Sequence, residues 1–134
     1  MVTPTVTHSD LVIRILLVFF GLIFICSGLL SLSVARQLIR GEISRKEYMG
    51  RGIKIKEALA SDEAWYRINR GGGKAMIIPS LAFIAMGLIT IACAFLYPSA
   101  IILVAWIPFI LVSFLPLFGY VIWVKRTETK RKTA

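Results

Sequence analysis

The chain has 134 residues, of which 57% are hydrophobic, and its formal net charge is +9. The mean hydropathy of +0.79 is high for a soluble domain, and the apolar residues lie in long uncharged runs. The basic residues flank these runs, which is typical of topology signals and of contact with anionic lipid head groups. The composition therefore excludes an ordinary soluble domain, and the placement of the charge argues against direct nucleic-acid binding.

The first hydrophobic run covers about residues 11–35, which is long enough to cross a bilayer as a helix. Ser9 and Asp10 precede the run and are predicted to cap this helix. Arg14 lies one turn inside it, and we expect its side chain to extend to the membrane surface. Small residues further along predict a face for close helix packing: Gly21, Ser27, Gly28 and Ser31.

A polar segment, residues 36–74, separates the first hydrophobic run from the next. It contains ten of the sixteen basic residues together with five acids. Arg36 and Arg40 are predicted to extend the first helix beyond the membrane, and Gly41 to end it. A short helix is predicted over Glu42–Met49. Closely spaced glycines after it indicate a turn or a close backbone approach.

Ser61 and the two acids after it predict the start of another helix, because a hydroxyl cap and negative charge favour a helix N-terminus. Trp65 and Ile68 share one face of this helix, and we expect them to lie in the head-group layer. The triplet Gly71–Gly73 is predicted to end the helix and to act as a hinge. A phosphate loop is disfavoured, since the lysine-serine pair of that motif is absent.

Two further hydrophobic runs cover about residues 75–96 and 100–124, separated by a very short turn. The second of these runs contains two prolines, which are predicted to kink it. Tyr120 and Trp123 are predicted to form an aromatic belt at its end. The tail, residues 125–134, holds five basic residues and one acid.

The distribution of lysine and arginine predicts the orientation of the spans. Neither the N-terminal tail nor the turn at 97–99 contains a basic residue, whereas the central segment and the tail are basic. The positive-inside rule then places the N-terminus outside and both basic segments in the cytoplasm. The sequence predicts an all-α, multi-pass protein of the bacterial plasma membrane, a single membrane domain over residues 1–134. It has three transmembrane helices and a structured, partly helical cytoplasmic loop between the first two.

Enzymatic and metal-dependent functions find little support in the sequence. No ionisable residue lies deep in a span, which argues against a proton pump or an ion-coupled transporter. His8 has no potential metal ligands near it in the sequence. The acids of the central segment have no histidine beside them that could act as a general acid or base. Cys26 and Cys93 lie at different depths, so no disulfide is expected. We therefore predict no catalytic residue, no metal site and no cofactor.

The central segment resembles the signature of the SdpI family of bacterial membrane proteins. The chain reads GIKIKEALASDEAW from Gly52, and Asn69 follows four residues after Trp65, with two glycines soon afterwards. The motif covers about a quarter of the chain and lies, as in the family, after one span and before further spans. Lys54 stands where the family usually has arginine, and lysine keeps the charge but lacks the planar bidentate fork.

This resemblance implies a non-enzymatic membrane protein. The founding member of the family confers immunity to a secreted antimicrobial toxin and holds a cytosolic repressor at the membrane. By this resemblance we expect a peptide toxin and a cytosolic regulator as partners, besides anionic lipid head groups. The predicted ligand- and partner-binding residues are Gly52, Lys54, Ser61, Trp65, Arg67, Asn69 and Arg70.

Two alternatives remain open at this stage. Three apolar spans without buried charge also suit a small accessory or scaffold subunit that packs against the helices of a larger membrane complex. A lipid-handling or transport component would need a cavity facing the polar segment. The same signature residues also have a purely structural interpretation, in which Trp65 and Asn69 only fix the loop against the spans.

Overall fold

The computed structural model describes residues 7–46 and 51–134, and all the regular elements within these ranges are helical. Three helical stretches are long and apolar enough to cross a membrane, which confirms the predicted all-α membrane fold. A 3-10 turn at Ala58–Ala60 lies between the first two stretches. The helices are α1 (His8–Arg40), α2 (Asp62–Leu96), α3 (Ile101–Ser113) and α4 (Leu115–Thr133).

The N-cap of helix α1 lies two residues earlier than Ser9, the first of the predicted caps. Thr7 is the N-cap: its hydroxyl accepts a hydrogen bond from the Asp10 backbone N–H, and its own N–H donates to the Asp10 carboxylate at 3.2 Å. This reciprocal capping box satisfies two donors that a helix start leaves unpaired. At the other end Gly41, with φ +72°, ends the helix as predicted.

The segment after α1 is less helical than predicted. Residues 42–46 form no helix, and the remainder of the predicted helix at Glu42–Met49 lies outside the described residues. Residues 53–55 run without regular structure to the 3-10 turn. This segment nevertheless has fixed contacts to the helices.

Helices α1 and α2 pack closely through the predicted small-residue face. A side chain at Gly87 would place its Cβ 2.5 Å from the Gly21 carbonyl oxygen, and one at Gly28 would lie 2.7 Å from the Ser80 carbonyl oxygen. The Ser80 hydroxyl also donates to the Ser31 hydroxyl at 2.8 Å. Backbones that approach this closely gain van der Waals contact, which is the main attraction between helices in a bilayer.

Helix α2 continues through the glycine triplet, so the predicted helix end and hinge at Gly71–Gly73 are wrong. Each glycine faces a neighbour that leaves no room for a side chain. A Cβ would lie 2.1 Å from the Tyr120 hydroxyl at Gly71, 2.2 Å from Ile53 at Gly72, and 2.8 Å from the Ala35 carbonyl oxygen at Gly73. Tertiary contact therefore outweighs the low helix propensity of glycine here.

The third hydrophobic stretch is divided into α3 and α4 at Phe114, between the two prolines predicted to bend it. Pro116 lies in the first turn of α4, where its missing N–H would have had no partner. Trp106 donates its indole N–H to the Thr90 hydroxyl at 2.8 Å, which ties α3 to α2. Helix α4 then continues through the basic tail as far as Thr133.

A buried cluster lies where α1 ends and α2 begins. Its members come from both helices, from the connecting segment and from α4, and they are Leu38, Ile43, Ala58, Trp65, Ile68 and Val124. Most apolar side chains elsewhere on the long helices face outward, as expected for surfaces in contact with lipid.

A loop–helix junction at the basic end of the bundle

Both basic segments of the chain meet at one end of the bundle. The Arg67 guanidinium of α2 lies 2.7 Å from the Glu128 carboxylate of α4. The Tyr120 hydroxyl of α4 donates to the Ile68 carbonyl at 2.8 Å. These contacts place the start of α2 beside α4, so the basic connection and the basic tail lie on the same side of the hydrophobic spans.

Ser61 caps α2 as predicted. Its hydroxyl accepts a hydrogen bond from the Ala64 N–H at 3.1 Å, and two acids follow it in the first turn. Arg45 reaches across to this point: it lies 2.8 Å from the Asp62 carboxylate and donates to the Leu59 carbonyl at 2.9 Å. The start of α2 is therefore fastened to the segment that follows α1.

Trp65 lies inside the buried cluster and not in the head-group layer, so that prediction is wrong for Trp65 and also for Ile68. Both side chains are almost fully buried, at 0% and 2% exposure. The Trp65 indole N–H donates to the Ile43 carbonyl at 2.9 Å. The connecting segment covers this face of α2, and a buried indole needs such an acceptor.

Asn69 holds the connecting segment to α2 through the backbone of Ile53. Its side-chain oxygen accepts from the Ile53 N–H at 2.5 Å, and its amide donates to the carbonyls of Trp65 at 3.1 Å and Ile53 at 3.5 Å. Gly52 has φ +92°, and a Cβ there would lie 2.7 Å from the Asn69 oxygen. Both the backbone angle and the available space thus require glycine at this position.

The model of the SdpI/YfhL protein family matches residues 45–124, which is more than half of the chain. The chain belongs to the SdpI/YfhL family. It is accordingly a multi-pass membrane protein of that family. No curated protein and no solved structure gives a match.

The SdpI-family signature, Gly52 to Asn69, coincides with this junction. Among the predicted site residues, Gly52, Ser61, Trp65 and Asn69 come together to fasten the connecting segment to α2. This geometry is what the structural interpretation of the signature requires, and it leaves Trp65 and Asn69 no exposed surface for direct contact with a partner.

The remaining predicted site residues of this SdpI-family protein lie on its surface. Arg67 is ion-paired with Glu128, and Arg70 and Lys54 are exposed. Arg67 and Arg70 line an open depression of about 510 Å³ together with Glu63, Tyr66, Gly71 and Lys74. The excess of positive charge there suits an anionic group, because opposite charge lowers the energy of association.

Sequence reasoning missed several residues of the junction. Ile43 supplies the acceptor for Trp65, Arg45 ties down the start of α2, and Glu128 pairs with Arg67. Glu128 carried one signal, since it is the single acid in a basic tail. Tyr120 was predicted to face the head groups, but it packs against α2, because the absence of a side chain at Gly71 makes room for its ring.

Proposed function

We propose that this SdpI-family protein is a non-enzymatic immunity or signalling protein of the bacterial plasma membrane. In this proposal its helices bind a membrane-active peptide, and the basic connection reports binding to a cytosolic regulator. The N-terminus lies outside, and the basic connection and tail lie in the cytoplasm. Family membership and the positive-inside distribution of charge support these assignments.

The observation that carries the proposal is the attachment of the basic segment to a membrane-spanning helix. Asn69 and Trp65 belong to α2, and they bond the backbone at Ile53 and Ile43. Any ligand that shifts α2 within the bilayer must therefore strain or move these bonds. A shift in helix packing is thereby converted into a changed position of charged residues outside the membrane.

The surface available to a cytosolic regulator is basic. Lys54 and Arg70 are exposed near the junction, and Arg67 is held beside them by Glu128. We infer that the regulator presents an acidic surface, because charge complementarity speeds encounter and selects the partner. Lysine at position 54 supports a point-charge contact, whereas a planar bidentate grip would need arginine.

Survival of cells under membrane-active peptides tests the proposal. Cells with the gene deleted are compared with cells restored with the unaltered gene, with Asn69→Ala, or with Arg70→Glu. Lys132→Glu is the matched control, because it makes the same charge change at an exposed position in the tail. Each version must be present at equal abundance by immunoblot, and cytosolic proteins retained at the membrane are identified by mass spectrometry.

The proposal expects that deletion sensitises cells to at least one peptide. The unaltered gene should restore resistance fully, and among the variants only Lys132→Glu should do the same. Retention of a cytosolic protein should require the peptide and should be lost in Arg70→Glu. Unchanged survival of the deletion strain against a broad panel would contradict the immunity role.

A second function, accessory subunit of a larger membrane complex, is favoured by one observation. Of the 18 most hydrophobic consecutive residues in the Ile101–Thr133 stretch, 6% are buried inside the protein, whereas the corresponding share for α2 is 28%. Such a weakly packed span offers a surface for partner helices. A stoichiometric membrane partner that copurifies without any added peptide would favour this function over the first.

A further inference from the structure

An apolar groove lies at the opposite end of the bundle from the junction. It runs between α1 and the last turn of α2 and has a volume of about 460 Å³. Most of its lining comes from α1, which precedes the residues matched by the family model. Its lining includes Leu11, Arg14, Ile15, Val18, Leu22 and Phe95.

Arg14 is the charged residue in this groove, and the protein satisfies it only in part. Its Nη1 donates to the Phe95 carbonyl at 3.4 Å, which is a long hydrogen bond. Its Nε is buried and has no hydrogen-bond partner in the parts of the chain that the structure describes. Asp10, one turn earlier in α1, is close enough to Arg14 for charge attraction, but its carboxylate bonds Thr7 and forms no ion pair with Arg14 among the same residues.

A cation in this position is stabilised by the end of α2 but is not neutralised by it. The last turn of α2 has no basic residue of its own, so Arg14 supplies the positive charge that helix C-termini favour. A carbonyl carries only a partial negative charge. A guanidinium beside hydrocarbon therefore still gains from a full anion.

The shape of the groove identifies the class of molecule that fits it. From Leu11 to Leu22 the groove follows α1 for about 16 Å, given the helical rise of 1.5 Å per residue. The groove is therefore long enough for an acyl chain that lies along α1, and the positive charge of Arg14 favours an occupant with an anionic head group.

We propose that this groove binds one phospholipid, with an acyl chain along α1 and the phosphate on Arg14. The charge lies near the end of the helix and Leu22 lies deeper, so the head group and chain have the order that a bilayer imposes. A phosphate oxygen accepts from the Nη groups of the guanidinium, whose N–H donors favour phosphate, while the buried Nε stays covered by the protein. This site is independent of the proposed immunity function.

Native mass spectrometry of the purified full-length protein tests the site, with phosphatidylglycerol as the added lipid. Arg14→Gln removes the charge, Arg14→Lys keeps it, and Val18→Phe fills the groove. Arg126→Gln and Val104→Phe make the same chemical changes at exposed positions elsewhere. Diacylglycerol with the same acyl chains tests the phosphate, and circular dichroism melting curves confirm that every variant is folded.

We expect one phosphatidylglycerol per chain, bound roughly tenfold more weakly by Arg14→Gln, which is the change expected from losing one charge-assisted hydrogen bond. Val18→Phe should weaken binding similarly, Arg14→Lys should bind with intermediate strength, and both controls should match the unaltered protein. Equal binding by Arg14→Gln and Arg126→Gln would overturn the proposal. Equal binding of diacylglycerol, an unchanged affinity in Val18→Phe, or a copurifying peptide in the groove would do the same.

Discussion

Replacement of Asn69 by alanine should release the connecting segment from α2 without unfolding the helix. The Ile53 N–H loses its acceptor, the Asn69 side-chain oxygen at 2.5 Å. Asn69 is only 2% exposed, so water has little access to replace it. A lost hydrogen bond costs about 1 kcal/mol net, and a donor left partly buried without a partner raises the total to about 2–3 kcal/mol. The helix itself gains slightly, because alanine has the higher helix propensity.

Hydrogen exchange measured by mass spectrometry reports this loss directly. A change of about 2–3 kcal/mol in the free energy of local opening corresponds to roughly 30- to 150-fold faster exchange of the segment 51–60. Amides in the middle of α2, at 80–90, should keep their exchange rates, because their contacts to α1 are unchanged.

Arg70→Ala is the matched control for this experiment. Arg70 follows Asn69 directly in α2, but its side chain is exposed and does not contact Ile53 within hydrogen-bond distance in the described structure. If the Ile53 amide exchanges equally slowly in Asn69→Ala and Arg70→Ala, Asn69 does not hold the segment and the coupling argument fails.

Four further predictions concern helix packing and the junction. Gly87→Ala should lower the free energy of unfolding by about 2 kcal/mol or more, because the new Cβ would overlap backbone atoms of α1. Thermal unfolding in detergent measures this change. Gly119→Ala, which meets nothing within 4 Å, should be neutral or stabilising by up to about 1 kcal/mol. Trp65→Phe should cost about 1–3 kcal/mol in the same assay, because the indole hydrogen bond to a buried carbonyl is lost. A double-mutant cycle on Arg67 and Glu128 should give a coupling of about 1 kcal/mol or less that fades with added salt.

For each of these predictions, a specific result would contradict it. Equal stability of Gly87→Ala and Gly119→Ala would show that α1 and α2 are not in close backbone contact. A Trp65→Phe protein as stable as the original would show that the indole hydrogen bond does not stabilise the junction. A salt-independent coupling between Arg67 and Glu128 would indicate a pair shielded from solvent, contrary to the 42% exposure of the Arg67 side chain.

The hydrophobic runs were sufficient to predict the class of fold. Long uncharged stretches of about 20 residues can satisfy their backbone in a bilayer only as helices or closed barrels, and their length indicated helices. Gly41 and Ser61 were predicted correctly as helix boundaries because their effects are local. Thr7 was missed as the first cap because Ser9 and Asp10 offered equivalent local chemistry closer to the run.

The errors at the junction share one physical cause. Trp65 and Tyr120 have the composition of interfacial anchors, and Gly71–Gly73 has the composition of a hinge, when only neighbours in sequence are considered. Their environment is set instead by residues distant in sequence, as in the contact between Tyr120 and Gly71. Sequence patterns report periodicity along one helix and carry no direct information about which other segment covers it.

The unbroken course of α2 through its glycines has a mechanical consequence. With 35 residues the helix is about 52 Å long, whereas the hydrocarbon core of a bilayer is about 30 Å thick. About 20 Å of stiff rod therefore extends beyond the hydrocarbon, and a tilt of about 10° would displace its tip by about 3–4 Å. With no joint at Gly71–Gly73 to absorb that tilt, the part of α2 that precedes Pro79 carries the movement to its tip at Ser61, and Pro79 is the proline inside the helix at which it can bend.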